Sequence, residues 1–210
     1  GSSGLIGGII LKHNSKNNLF GLDVVPCSYP NHEISDISDS KKLENIFLEN
    51  NIEVVVHLAG KTSVSGTWDN LIGNNFDGTA NVFEASKNSG VKKVIFASSN
   101  HAVGLFENDD PYKKIVSGNY KYVEDYDLIK SNCEVRPDSL YGVSKAFGEN
   151  IGRYYYETFG IKVACLRIGS VRQVDTPIEG DSYRFFSTWC SHKDIFGLIE
   201  AWVNSEKIGF

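Results

Sequence analysis

The sequence predicts an α/β fold in which a parallel sheet is covered by helices on both faces. Three observations support this prediction. Stretches that suit strands alternate with stretches that suit helices, most connections between them are short, and the strand-like stretches are almost continuously apolar. Unbroken apolar runs are typical of strands buried on both faces, and the alternation is typical of a doubly wound sheet.

Each element follows from an apolar run and from the polar residues that bound it. We expect an apolar helix at 5–11, a strand at 19–25, a polar helix at 40–50, a strand at 54–58, a helix at 69–88, a strand at 93–98, a helix at 139–159, a strand at 162–168 and a last helix from near Ser191. Residues 107–137 form the one long irregular stretch. Its composition does not distinguish a functional lid from a mobile insertion.

Length and composition restrict the class of protein. The 210 residues, with 41% apolar and 22% charged side chains, suit a single folded domain over residues 1–210. The net charge of −5 argues against a nucleic-acid binder, which normally needs a positive surface. No apolar run approaches the ~18 residues that a membrane-spanning helix needs, so we expect no membrane partner.

The cysteines and the start of the chain add two expectations. The four cysteines are scattered, without the spacing of a metal site or a disulfide framework, so we expect reduced thiols, a cytoplasmic protein and no metal. The chain contains no methionine, and a doubly wound sheet would place a central strand before Gly1. We therefore expect the chain to be truncated at its start.

Three glycines, Gly1, Gly4 and Gly7, lead directly into the first helix. This spacing lets the backbone approach a pyrophosphate at the helix N-terminus, as in Rossmann-like folds, although a Gly-Ser-Ser-Gly start also resembles a cloning remnant. Asp23, at the end of the next strand, favours the functional interpretation. Its carboxylate can accept hydrogen bonds from both ribose hydroxyls of NAD and would repel the 2′-phosphate of NADP.

Tyr141 and Lys145 are four residues apart, so both side chains lie on one face of the predicted helix. A tyrosine that acts as a base needs a pKa far below its usual ~10, and a nearby positive charge can lower it. The preceding strand ends near Ser99, which brings a hydroxyl to the same edge of the sheet. The three residues predict one catalytic centre.

Longer strings specify a family. They are His57-Leu-Ala-Gly60, Phe96-Ala-Ser-Ser-Asn-His101, Leu140-Tyr-Gly-Val-Ser-Lys145, Phe147-Gly-Glu-Asn150, Arg167-Ile-Gly-Ser170, Tyr183-Arg184, Ser187-Thr-Trp189 and Ser191-His192. Together they resemble the extended short-chain dehydrogenase/reductases, or NAD-dependent epimerase/dehydratase superfamily, and within it the uronate dehydrogenases. Gly169-Ser170-Val171 stands where sugar-nucleotide epimerases usually carry Asn followed by Tyr-Gly-Pro.

The resemblance implies roles for individual residues. Tyr141 would be the general base, Lys145 would lower its pKa and hold the coenzyme ribose, and Ser99 would hydrogen-bond the reacting hydroxyl. The implied sugar pocket is built from loops 99–138 and 169–192 and includes Ser63, Ser99, Asn100, His101, Ser170 and Arg184. The expected NAD site comprises Gly1, Gly4, Leu5, Ile6, Gly7, Asp23, Asp36, Ile37, Leu58, Ala59, Gly60, Tyr141, Lys145 and Ile168.

Two of these assignments keep an alternative. His101 is equally well interpreted as a structural loop histidine. Arg184 is expected to bind a negative group at the far end of the sugar, a C6 carboxylate first and a phosphate second. An ordinary surface arginine is the alternative.

The expected function is NAD-dependent oxidation of a sugar, a hexuronate first, at C1 to the lactone. Residues 107–137 and the segment between Ser170 and Arg184 look longer than in uronate dehydrogenases, so a 6-phosphorylated sugar is the alternative substrate. A nucleotide-sugar epimerase or dehydratase and a catalytically silent NAD-sensing protein are the alternative functions. The family usually continues beyond Phe210, so we also expect truncation at the end, and a homo-oligomer is left open.

Overall fold

The computed structural model describes residues 1–177 and 182–206. The helices and strands within this part of the chain are α1 (Leu5–His13), β1 (Gly21–Asp23), β2 (His32–Ile34), α2 (Ser40–Glu49), β3 (Val54–His57), α3 (Trp68–Leu71), α4 (Gly78–Asn88), β4 (Lys93–Ser99), α5 (Tyr112–Val116), α6 (Leu140–Phe159), β5 (Lys162–Ile168), α7 (Tyr183–Thr188) and α8 (His192–Asn204). None of the helices described is both long enough and apolar enough to cross a membrane.

Parallel strands form the centre of the molecule, as the sequence predicts. The strand order is β3-β4-β5, with Val56 opposite Ile95 and Ile95 opposite Ala164. Strand β4 lies in the middle and is buried over almost its whole length. The carboxyl ends of the three strands therefore meet at one edge of the sheet, where ligands bind in folds of this kind.

Helices cover both faces of this sheet. On one face, α2, α4 and α6 contribute Leu43, Phe83 and Tyr155 to a core that includes Val94 and Phe96 of β4. On the other face, α1 and α8 pack Ile9, Ile195 and Ile199 against Ile95. The two-sided arrangement confirms the predicted Rossmann-like α/β fold.

The first two strands stand apart from the other three. Strands β1 and β2 pair in parallel, with Leu22 opposite Glu33, and form a separate two-stranded sheet. A cavity of about 770 Å³, lined by residues that include Leu22, Val54 and Val56, lies between β1 and β3.

Helix α6 begins where the functional residues are expected. Ser139 caps its N-terminus, because the side-chain oxygen accepts a hydrogen bond from Gly142 N at 3.0 Å. A Cβ atom at Gly142 would collide with the carbonyl oxygen of His101. The glycine therefore lets the first turn of α6 lie directly against the backbone that follows β4.

Four features differ from the expectation. Strand β1 is shorter than the strand expected at 19–25. Strand β2 was not predicted, because His32 and Glu33 leave it without an apolar run. Helix α7 was missed because it has only six residues. The helix expected at 69–88 is interrupted by a π-helical turn at Ile72–Asp77, which buries Asn75. Such turns are rare and frequently occur at functional sites.

Residues 107–137 contain α5 and short 3₁₀ turns, and they pack against α7. Glu107 Oε2 accepts a hydrogen bond from Arg184 Nε at 2.6 Å. The rings of Tyr120 and Tyr183 meet edge to face at 6.1 Å between centroids. The segment thus fastens α7 to the domain.

Candidate functional site

A cavity of about 950 Å³ opens at the carboxyl ends of β3, β4 and β5 and reaches the N-terminus of α1. Its walls contain most of the residues that the sequence analysis assigned to a site. These are Gly1, Gly4, Leu5, Ile6, Gly7, Asp23, Ile37, Leu58, Ala59, Gly60, Ser99, Asn100, His101, Tyr141, Lys145, Ile168 and Ser170. Gly1 and Ser170, which are 169 positions apart in the sequence, therefore line the same cavity.

The start of α1 forms a cradle without side chains. A Cβ atom at Gly1 would lie 2.6 Å from the backbone of Leu58 and Ala59, and one at Gly7 would collide with the carbonyl oxygen of Gly1. Gly4, the N-cap of α1, provides no side chain to satisfy the free N–H groups of the first turn. Free N–H groups and the helix dipole attract an anion, so this end of the cavity fits a pyrophosphate.

Asp23 ends β1 beside this cradle. Its carboxylate accepts hydrogen bonds from Ser3 N at 3.0 Å and from Val24 N at 2.7 Å. Burial tends to raise the pKa of Asp23, but backbone hydrogen bonds and the charge of the nearby Gly1 amino group together outweigh it, so the pKa lies below its usual value. The side chain is therefore ionised at neutral pH and carries a negative charge at the cavity wall.

Ser99, Tyr141 and Lys145 lie together at the end of β4. The Lys145 side chain is buried, and its Nζ donates to Ala97 O at 2.8 Å and lies 5.4 Å from the centre of the Tyr141 ring. Ser99 Oγ donates to Asn100 Oδ1 at 3.1 Å and accepts from His101 N at 3.2 Å. A phenol, a hydroxyl and an ammonium thus line the same wall.

The pKa of Tyr141 differs from the sequence expectation. Burial raises this pKa above its usual value, and the neighbouring Ser99 hydroxyl opposes the rise only in part. Burial also lowers the pKa of Lys145 to about 8. The Lys145 ammonium donates to the carbonyl of Ala97, and the pKa of Tyr141 lies above its usual value in this arrangement.

His101 is held in place by an acid that the sequence analysis did not select. Its Nδ1 lies 2.7 Å from Asp138 Oδ2, and its ring meets the Tyr141 ring edge to face at 5.7 Å. Asp138 Oδ1 also accepts a hydrogen bond from Ser139 Oγ, the cap of α6. His101 is therefore held by a structural contact with Asp138, and it also lines the cavity. Its role towards the sugar stays a prediction.

Asn75 is a second residue that the sequence analysis missed. Its Nδ2 donates to Ser144 Oγ and to Lys61 O, both at 3.0 Å, and its Oδ1 accepts from Lys61 N at 2.8 Å. These bonds attach the loop after β3 to α6, one residue before Lys145. The sequence carries no local signal for this contact, because Asn75 and Ser144 are 69 positions apart.

Three expected site residues do not line the cavity. Asp36 accepts a hydrogen bond from Ser38 N in the turn before α2. Ser63 is exposed, and its neighbours Thr62 and Val64 reach the cavity instead. Arg184 turns towards Glu107 because the ion pair at 2.6 Å holds it there. Their assigned roles stay predictions.

The expected pocket loops contribute unequally. Residues 102–140, all within the described part of the chain, do not line the cavity, whereas 99–101 do. From the second loop, residues 169–173 and Phe185 line it, and residues 178–181 lie outside the described residues. Arg172, which the sequence analysis did not select, is among the lining residues. Its position two residues after Ser170 was the available signal.

Comparisons with known proteins agree with this geometry. The model of the NAD dependent epimerase/dehydratase family matches residues 1–175. An NAD-dependent glucose-6-phosphate dehydrogenase from Haloferax volcanii is 35% identical over 173 residues, which are 82% of this chain and 63% of that protein. A uronate dehydrogenase from Agrobacterium fabrum is 37% identical over 155 residues, which are 74% of this chain and 50% of that protein.

The chain therefore spans about half to two thirds of the length of these curated relatives. Among solved structures, a mutant of uronate dehydrogenase from Agrobacterium tumefaciens complexed with NAD has a TM-score of 0.78 and 31% sequence identity. The similarity covers 100% of this chain and 72% of that one.

Proposed function

Since the chain belongs to the NAD dependent epimerase/dehydratase family, we propose that it is an NAD-dependent sugar dehydrogenase that oxidises a hexuronate at C1. The observation that carries this proposal is the shared cavity. A phenol, a hydroxyl and a buried ammonium lie at one part of it, and a cradle that fits a pyrophosphate lies at another. The similarity to sugar dehydrogenases supports the same conclusion.

NAD is the coenzyme that these residues would hold. The cradle at Gly1, Gly4 and Gly7 would hold the pyrophosphate, and the Asp23 carboxylate would hold the ribose of the adenosine half. When bound, NAD accepts the hydride that leaves C1 of the sugar. The cavity fits such a group because the first turn of α1 has no side-chain cap for its N–H groups, and its glycines let this turn pack closely against the backbone after β3.

The chain's own residues would move the proton. Tyr141, as the phenolate, would take the proton of the C1 hydroxyl, while Ser99 would hydrogen-bond the same oxygen and orient it. Lys145 has donors left beyond its bond to Ala97 O, so it can hold a ribose hydroxyl and offset the phenolate charge. The C1 hydroxyl loses its proton and C1 loses a hydride, so C1 becomes the carbonyl carbon of a lactone, which opens in water.

A 6-phosphorylated sugar is the second candidate substrate. The relative from Haloferax volcanii carries glucose-6-phosphate in its name, and Arg172 puts a further positive charge in the cavity wall. Phosphate and carboxylate both suit a guanidinium. The two candidates require the same chemistry at C1 and differ only in the group at the remote end.

The test is a substrate panel with the full-length protein, read as the absorbance of NADH. We expect NADH to accumulate with glucuronate, galacturonate or glucose 6-phosphate, and Tyr141→Phe to lower kcat by ~10²-fold or more while NAD still binds. Tyr154→Phe is the matched control, because Tyr154 lies exposed on the same helix. Conversion of a nucleotide sugar without net formation of NADH would contradict this proposal and indicate an epimerase. Binding of NAD without turnover of any sugar would also contradict it.

A further inference from the structure

Arg172 is a cation of the cavity wall, and none of the described residues forms an ion pair with it. It follows β5 and lines the cavity together with Ser170, Gln173 and Phe185. Its guanidinium carbon lies 4.8 Å from the centre of the Phe185 ring. Its Nη1 is buried and has no hydrogen-bond partner among residues 1–177 and 182–206.

The other four arginines of the chain each have a carboxylate. The pairs are Arg136 with Asp109, Arg153 with Glu157, Arg167 with Glu149, and Arg184 with Glu107. Among the described residues, no carboxylate lies within ion-pair distance of Arg172. A partly buried charge without a partner is unfavourable, so an anion that enters the cavity would gain from meeting this guanidinium.

The backbone around Arg172 is fixed by its neighbours. His192 Nε2 lies 2.7 Å from Arg172 O, and Asp175 Oδ1 accepts a hydrogen bond from His192 N. The backbone of Ser170 forms two hydrogen bonds at the end of α7. Ser170 N donates to Thr188 O at 2.7 Å, and Ser170 O accepts from Cys190 N at 3.1 Å. The backbone that carries Arg172 is therefore fixed, and the contact with the Phe185 ring restricts its side chain before a ligand arrives, which lowers the entropy that binding must overcome.

We propose that Arg172 recognises the acidic oxygen group, a carboxylate or a phosphate, at the end of the sugar remote from C1. This inference rests on the proposed function, because it assigns a specificity-determining residue to that reaction. A planar guanidinium can donate two parallel hydrogen bonds to either group. Arg184, which the sequence analysis chose for this role, already has its charge compensated by Glu107.

The coenzyme is a second source of the same chemistry, since a pyrophosphate is also an anion. The glycine cradle at α1 already accounts for the pyrophosphate, and Arg172 shares its stretch of wall with Ser170 and Phe185 instead. We therefore assign Arg172 to the sugar. The affinity for NADH distinguishes the two sources, because only a coenzyme contact would lower it.

The experiment compares Arg172→Gln with Arg153→Gln, which removes the same charge from α6 and from the pair with Glu157. Steady-state kinetics are measured with glucuronate, glucose 6-phosphate and neutral L-arabinose, and NADH binding is measured by calorimetry. We expect Arg172→Gln to raise KM for the acidic sugar by ~10-fold or more, with little change in kcat, in the KM of L-arabinose or in NADH affinity. Arg153→Gln should change none of these values.

Several results would overturn the inference. A loss of NADH affinity in Arg172→Gln would assign the residue to the coenzyme, and an equal rise in KM for acidic and neutral sugars would indicate packing only. An unchanged KM would remove Arg172 from recognition. Should Arg172→Gln not fold, Arg172→Lys keeps the charge without the planar fork and should still raise KM for the acidic sugar.

The acid group is identified by whichever of glucuronate and glucose 6-phosphate loses more affinity in the variant. Calorimetry of these two compounds with the protein saturated with NADH separates this inference from the proposed function. A wild-type protein that oxidises no sugar but binds one of the acids, and loses this binding in Arg172→Gln, would contradict the dehydrogenase and support the anion site. Binding of neither acid would overturn the site as well.

Discussion

At the scale of single residues, the environment of Tyr141 decides how the proposed base can work. The sequence analysis expected Lys145 to lower the Tyr141 pKa, but burial raises it and the Lys145 ammonium is bonded to Ala97 O. The phenolate would therefore need further stabilisation, from the donors that Lys145 has left beyond Ala97 O or from hydrogen bonds that arrive with the ligands. Asp138, which holds His101 against the Tyr141 ring, keeps the aromatic wall of this site in place.

Asp23 gives a prediction about coenzyme choice. Its pKa is held below the usual value, so the carboxylate is charged at neutral pH and would repel a 2′-phosphate. We expect kcat/KM to favour NAD over NADP by roughly 10²-fold, since charge repulsion and lost ribose hydrogen bonds cost a few kcal/mol. Asp23→Asn should reduce this preference by roughly 10-fold, because only the charge is removed.

Asp39→Asn is the matched control for this experiment. Asp39 caps α2, where asparagine caps equally well, and it lies outside the cavity. The control should keep the wild-type preference for NAD. Equal kcat/KM values for the two coenzymes in the wild-type protein would contradict the role of Asp23.

At the scale of elements, α6 combines the site with the framework. Its first two turns carry Tyr141 and Lys145, and one turn later Glu149 faces the sheet. Glu149 accepts two hydrogen bonds from Arg167 of β5, at 2.8 and 2.9 Å, and a third from Ser98 Oγ at 2.6 Å. Arg167 Nη1 also donates to Ser131 O, so this ion pair connects helix, sheet and loop.

Glu149→Ala is expected to lower the free energy of unfolding by about 3 kcal/mol, because it leaves a largely buried arginine without its carboxylate. Urea unfolding of the variant measures this loss. Glu157→Ala removes an exposed carboxylate that pairs with Arg153 on the same helix, and it should cost less than about 0.5 kcal/mol. Similar losses in the two variants would show that the ion pair with Arg167 contributes no more than a surface pair.

At the scale of the whole molecule, the sheet and its two helical layers bury a titratable group. His57 at the end of β3 is fully enclosed, and its Nε2 lies 3.2 Å from Thr79 Oγ1. Burial, together with the positive charge of Lys145, lowers the pKa of His57 to about 3. The folded protein therefore keeps this imidazole neutral well below the pH at which the unfolded chain protonates it.

This difference predicts how stability depends on pH. Between pH 6.5 and 3 the unfolded state binds one proton more at His57, so the free energy of unfolding falls as the pH falls, by up to about 1.4 kcal/mol per pH unit. His57→Gln cannot take up this proton. Urea unfolding at pH 7, 6 and 5 should give a smaller loss of stability for the variant than for the wild type, and equal slopes would contradict the prediction.

The family and the fold could be predicted from the sequence because their signals are local. Apolar runs mark the strands, the four-residue spacing of Tyr141 and Lys145 follows from helix geometry, and the family match confirms the resemblance that the motifs suggested. Gly1, Gly4 and Gly7 lie within seven residues of one another around the start of α1, and they line the cavity as expected. Short elements such as β2 and α7 were missed, because three and six residues carry too little periodicity.

Which arginine faces the cavity was decided by the tertiary structure, although Asp23 and Lys145 were predicted from the sequence and do line it. Arg184 and Glu107 are 77 positions apart, and only the packing of residues 107–137 against α7 brings them together. The same packing leaves Arg172 as the arginine of the cavity wall without an acidic partner among the described residues. Spacing along the chain determines which side chains share a helix or a strand end. Whether a charge is compensated depends on distances between segments that the fold alone sets.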